Sequence, residues 1–131
     1  MATLSQEMKE LVRTQQCFVA TVNADGTPNV GPKRSTRVLD DEHLAFTEIT
    51  GKQTWANVLN GSKLAIAVVD REKSKGFRFV GTAEVLREGE LYEQAAATMK
   101  SRGLPAPKGV VKVKVEKIYN LGTPGAGEEI D

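Results

Sequence analysis

Between Ile49 and Gly61 the chain reads ITGKQTWANVLNG, with Gly51, Lys52, Gln53 and Thr54 where a strand-like run gives way to a helix-like one. The first N–H groups of a helix have no partner inside it, and the helix dipole favours an anion there. Lys52 adds a full charge, Gln53 an amide and Thr54 a hydroxyl, so this junction has the donors of a phosphate site. A second set lies upstream, where VGPKRSTR brings Lys33, Arg34, Ser35 and Arg37 into one short interval. In an uninterrupted strand Lys33, Ser35 and Arg37 share a face and Arg34 takes the other. Pro32 breaks ladder hydrogen bonding, as an edge or bulge residue does. With this strand near the helix start, a dianionic phosphate would meet two or three cations and several N–H donors. The same residues also make an ordinary solvated barrel exterior, with Thr54 a plain helix residue.

Several other chemistries fail on the residues. A Walker A loop needs a glycine where Phe46 stands and a Ser or Thr after the lysine, where the chain has Gln53. The glycines of GTPGAG near the C-terminus are in the wrong order for a dinucleotide loop. A Ser-His-Asp device would have to use His43, the one histidine, in a predicted turn. KGFRFV (Lys75–Val80) is close to the base-stacking strand of RNA-recognition domains. Arg78 and Thr82 stand where that signature wants a small and an aromatic residue, so Phe77 and Phe79 read as one face of a core strand. With Cys17 and His43 each alone, neither a disulfide nor a Cys/His metal cluster is expected. Cys17 opens an apolar strand and reads as an inert core thiol.

The elements that must position these residues follow from periodicity. The 131 residues suit one domain, and a net charge of +1 gives no field to gather nucleic acid or an anionic membrane. No run spans a bilayer and no secretory signal opens the chain, so a reducing cytoplasm is expected. Thr3 and Gln6 are spaced as a capping box before an amphipathic helix over 4–15. Strands are predicted over 17–24, 28–39, 43–49, 64–69, 77–88 and 109–121, with the Asp25-Gly26 hairpin between the first two. The run 64–69 suits a strand buried on both faces. Helices are predicted over 53–60 and 90–102, stopped by Gly61 and Gly103. Residues 122–131 read as a flexible tail with nothing to pack. Hairpin-length connections imply an antiparallel sheet, and six strands with two or three peripheral helices close most simply as a small barrel.

The ordered series ATVNADGTPNVGPK, RVLDDEHLAF, TWANV and GFRFVGTAEVL resembles the FMN-binding split-barrel proteins related to pyridoxamine 5′-phosphate oxidase, over about Phe18 to Leu121. The resemblance implies a homodimer of six-stranded antiparallel split β-barrels with one FMN in each of two intersubunit clefts. It implies that the flavin phosphate lies near Lys33 and Lys52–Thr54. The ring would rest along Pro32–Ser35 and Phe46–Ile49, which includes Arg34, Ser35, Thr47 and Glu48. Many relatives carry a lysine directly before the helix-start threonine; this chain has Gln53 there and Lys52 one position earlier. The longer vitamin B6 oxidases carry substrate-binding arginines in a C-terminal extension, which this chain replaces with an acidic tail, so oxidation of vitamin B6 is not expected.

With a flavin bound, the cofactor would supply the hard chemistry and the protein would bind, orient and tune it. Three readings follow: a small FMN oxidoreductase, a non-enzymatic FMN carrier or reservoir, and a split barrel for another ligand such as a deazaflavin or haem-related compound. A small-molecule electron donor or acceptor is the partner implied. Trp55 reads either as a cover for the site or as a core or dimer anchor.

Overall fold

The computed structural model describes residues 2–130. Helix α1 (Gln6–Thr14) starts at Ser5, whose hydroxyl accepts the Met8 N–H while the Met8 sulfur accepts the Ser5 N–H. The cap is therefore Ser5 and not the Thr3–Gln6 pair that the spacing suggests. Leu4 is buried with its N–H bonded to the Asp41 carbonyl, which keeps the preceding residues outside the helix.

Strands β1 (Cys17–Val22) and β2 (Pro28–Pro32) form the predicted hairpin, with Gly26 at φ +88° and Asp25 accepting the Thr27 N–H. The strand expected over 28–39 divides here. Pro32 has no N–H to give, a turn follows in which Thr36 bonds the Lys33 carbonyl, and the two-residue β3 (Arg37–Val38) resumes against β4 (His43–Glu48). Next come α2 (Gln53–Leu59), β5 (Leu64–Asp70), β6 (Lys75–Leu86), α3 (Glu90–Ser101), β7 (Gly109–Asn120) and β8 (Glu129–Ile130). All pairings are antiparallel, in the order β2-β1-β5-β6-β7-β4-β3 with β8 on β7. The six predicted strands are all represented, the second divided into β2 and β3, and β8 is added to them.

This curled sheet is a split barrel with three peripheral helices. Its core is the inward set that alternation selects, including Leu44, Phe46, Ile66, Phe79, Val111 and Val113, all fully buried. Phe77 and Phe79 belong to it as expected, and Arg78, on the other face, lies over the Tyr119 ring at 4.5 Å. Cys17 is buried, and that burial pushes its thiol up to about 11. His43 begins β4 rather than lying in a turn, and its ring nitrogen meets Asp40 at 2.8 Å.

Two expectations are corrected. β5 is buried on one face only, because Ala65, Ala67 and Val69 point to an outer face that no element covers among the described residues. The tail also packs. Gly125 and Gly127 adopt φ +88° and +92° and reverse the chain, so that β8 pairs with Ile118 and Tyr119 and Ile130 reaches the core. The glycines that read as disorder supply the turn.

Candidate functional site

The turn between β2 and β3 is held from across the barrel seam. Ser35 Oγ accepts the Thr47 N–H at 2.8 Å and donates to the Thr47 carbonyl, standing in for a ladder residue. Arg37 donates to the Ser35 carbonyl at 3.0 Å and to Thr47 Oγ1 at 3.2 Å. Its guanidinium is half-buried with no carboxylate beside it among the described residues, and desolvation pulls its pKa down. Lys33 Nζ lies 2.9 and 3.1 Å from the two oxygens of Glu48 and 5.7 Å from the centre of the Phe46 ring. The Glu48 side chain is 1% exposed and that of Lys33 18%, so this is a buried ion pair.

These residues line one side of a cavity of about 610 Å³. Pro32 ends β2, Lys33, Arg34 and Ser35 come from the turn, Arg37 from β3, and Thr47 and Glu48 from β4. Alternation would have sent Arg34 to the opposite face. The turn abolishes that alternation and brings four consecutive residues to one concavity. The far wall is α3, through Gln94, Thr98 and Met99, with its C-cap Arg102 and then Leu104 just beyond. The helix ends in a Schellman motif: Leu104 N–H bonds the Met99 carbonyl, Gly103 N–H bonds that of Lys100, and Gly103 sits at φ +70°. This wall was not singled out by the sequence. Its signal is the Gln94, Thr98, Arg102 spacing of four, beside buried Ala95 and Met99.

Lys52, Gln53 and Thr54 do not line the cavity. Gln53 donates to Asn57 Oδ1 at 2.8 Å, and Thr54 Oγ1 accepts from Asn29 at 3.1 Å. Lys52 is the N-cap of α2, exposed, and no side chain caps that helix. One contact joins the two regions, a 3.3 Å bond from the Gly51 N–H to Glu48 Oε2. Trp55 sits elsewhere, half-buried on Gly109 of β7 with Arg87 over its ring.

The arrangement offers cations, apolar surface and few proton carriers. Lys33, Arg34, Arg37 and Arg102 face one carboxylate, Glu48, and no histidine, cysteine or tyrosine is among the described residues of the lining. Pro32, Ile49, Met99 and Leu104 supply apolar wall. Such a site suits a ligand with a flat or apolar body and an anionic group.

The fold defines a split-barrel protein with a cation-lined cavity. Residues 4–122 match the family model for pyridoxamine 5′-phosphate oxidase, and the chain belongs to that family. An uncharacterized protein of Methanocaldococcus jannaschii, MJ0282, is 34% identical over 97% of this chain and 87% of its own length. The crystal structure of HupZ from Group A Streptococcus is 48% identical, covers 95% of this chain and 98% of its own, and superposes with a TM-score of 0.84. An FMN-binding protein from Syntrophomonas wolfei shares the fold at 20% identity and a TM-score of 0.74, covering 88% and 84% of the two chains. Among the described residues no helix is long and apolar enough to cross a membrane.

Proposed function

We propose that this protein binds FMN and acts as a small flavin oxidoreductase. The observation that carries the reading is the cavity itself, where unpaired guanidinium groups border an apolar wall on the strands expected to hold the flavin ring. Pro32–Ser35, Thr47 and Glu48 would hold the ring and ribityl chain. Lys52, Thr54 and the backbone at the start of α2 would hold the phosphate, within reach because Gly51 links that start to Glu48. Lys33 is moved from phosphate ligand to floor of the site, since Glu48 already neutralises it. The flavin would supply the electron transfer; the residues around it supply binding and orientation.

The decisive experiment is the visible spectrum of purified protein after incubation with excess FMN or riboflavin and desalting. Flavin bands retained with FMN and lost with riboflavin are expected. Retention of neither overturns the reading. A carrier role is favoured by one observation, the absence of a free acid or base among the described lining residues. Oxidation of reduced nicotinamide no faster than by free FMN would establish the carrier over the enzyme. The same fold occurs in an F420 reductase and in a heme storage protein from Vibrio cholerae, so added deazaflavin and haem are the comparison ligands.

The reading includes a homodimer. Phe18, Val22, Val30 and Val69 are 45%, 53%, 68% and 46% exposed on the outer face of β1, β2 and β5. Such a contiguous apolar face on a sheet suits a second copy, which would also wall the flavin. Sedimentation as a monomer at every accessible concentration would remove the dimer.

A further inference from the structure

The four cations of the cavity lining do not contribute equally to the field inside it. Lys33 is neutralised by Glu48 at 2.9 Å. Arg34 and Arg102 are exposed, and water and salt screen a solvated guanidinium. Arg37 differs on both counts. It is half-buried, with no carboxylate beside it among the described residues. Two neutral oxygens hold its Nη1, the Ser35 carbonyl at 3.0 Å and Thr47 Oγ1 at 3.2 Å. Arg37 also borders a groove beside α1, where Glu10 is the one carboxylate among the described lining residues. Arg13 already engages Glu10, and Lys9 in the same groove is taken by Asp41. Arg37 thus brings a poorly solvated positive charge to the cavity wall, fixed there by the bonds that frame the β2–β3 turn. A guanidinium keeps that charge at any physiological pH.

A fixed, uncompensated charge in a partly desolvated site favours the more negative state of whatever binds beside it. For a flavin that is the reduced state. Two electrons and one proton added to the neutral oxidised ring leave it, at neutral pH, with one negative charge. The only carboxylate among the described lining residues, Glu48, does not oppose this, because Lys33 neutralises it. We propose that Arg37 sets the redox balance of the bound flavin, so that the protein holds reduced FMN more tightly than oxidised FMN and raises its reduction potential above that of free FMN. This role of Arg37 rests on the reading of the cavity as a flavin site. The bound ring then takes electrons from an external two-electron donor, such as a reduced nicotinamide, more readily than free FMN does.

The test is the reduction potential of the FMN-loaded full chain, read from flavin absorption during slow anaerobic reduction by xanthine and xanthine oxidase beside a reference dye. Anaerobic titrations with oxidised and with reduced FMN give the two affinities independently. The wild type is expected to bind reduced FMN tighter than oxidised FMN by roughly tenfold or more, with a potential raised to match. Arg37→Gln should lose most of that ratio, even where it weakens the binding of both forms. Arg37→Lys should keep part of it, Arg102→Ala should lower it by less than Arg37→Gln does, and Arg71→Ala, in the exposed turn after β5, should leave it unchanged. The wild-type ratio should persist as salt is added, because a half-buried charge is poorly screened. A wild-type potential at or below that of free FMN overturns the proposal, and so does an Arg37→Gln variant that keeps the wild-type ratio. Should Arg37→Gln not fold, salt decides, since a wild-type ratio that vanishes at high salt removes Arg37 as its source. Protein that takes up neither form of FMN overturns the flavin reading and this role with it, whereas equal binding of both forms overturns this role alone.

Discussion

Two polar clusters share β2 and are built on opposite terms. At the Asn29 end the amide donates to Thr21 Oγ1 at 3.2 Å and Thr54 Oγ1 at 3.1 Å. Buried Asn57 donates to Thr21 and Asn23 and accepts from Gln53. Every donor of both amides is used, and the cluster closes on itself, fastening α2 to the β1–β2 hairpin. At the Pro32 end the hydrogen-bonded part, Ser35 with Thr47 and Lys33 with Glu48, is a frame around groups that stay unpaired. Both clusters read alike in sequence, as polar residues on a strand beside a helix. Satisfaction tells them apart: a closed network holds the fold, whereas unspent charge in a cavity is available to a ligand.

The comparison can be broken most severely at the frame. Lys33→Ala would leave the Glu48 carboxylate buried without its partner, and unfolding by denaturant should show a loss of about 3–5 kcal/mol. The double variant Lys33→Met, Glu48→Gln should recover most of it; a double variant as unstable as the single one would show that charge burial is not the cause. Next comes the closed network. Asn57→Ala strips Thr21, Asn23 and Gln53 of a partner and should cost about 1–3 kcal/mol in the same measurement. Smaller still is Arg34→Ala, which should change stability by no more than about 0.5 kcal/mol, because an unpaired exposed group adds nothing to the fold. A larger loss would place Arg34 in the frame. Last, Cys17 should not react with a thiol reagent at pH 8 in the native protein, since burial keeps it protonated up to about 11. Reaction without denaturant would mean that β1 opens locally.

Most of the fold was legible because its strands alternate and its turns carry their own residues. VKVKV in β7 and the Asp25-Gly26 hairpin need no tertiary information. The β2–β3 break was half legible: Pro32 marks it, but the extent of the turn depends on Ser35 reaching Thr47, twelve residues away. The site was legible on its strand side for the same reason that its helix side was not. Cations next to a proline make a local pattern, whereas Gln94, Thr98 and Arg102 look like any solvated helix face until β4 is laid against them. Gln53 and Thr54 show the converse, since side chains suited to a phosphate are also used by neighbouring amides, Gln53 donating to Asn57 and Thr54 accepting from Asn29. The tail was misread because turn-forming glycine and unstructured glycine have the same composition.

The interruption of the sheet at Pro32 has a consequence for how such a site can change. A residue inside a ladder is constrained by its partners on both neighbouring strands, so an exchange that alters binding also alters pairing. From Arg34 to Thr36 the ladder is suspended, and the side chains of Ser35 and Lys33 carry the link to β4. Arg34 is therefore free to be replaced, and with it the charge offered to a ligand, without any strand giving up a hydrogen bond. Recognition and architecture are uncoupled at that one position, which would let a barrel keep its shape while relatives diverge in what they hold.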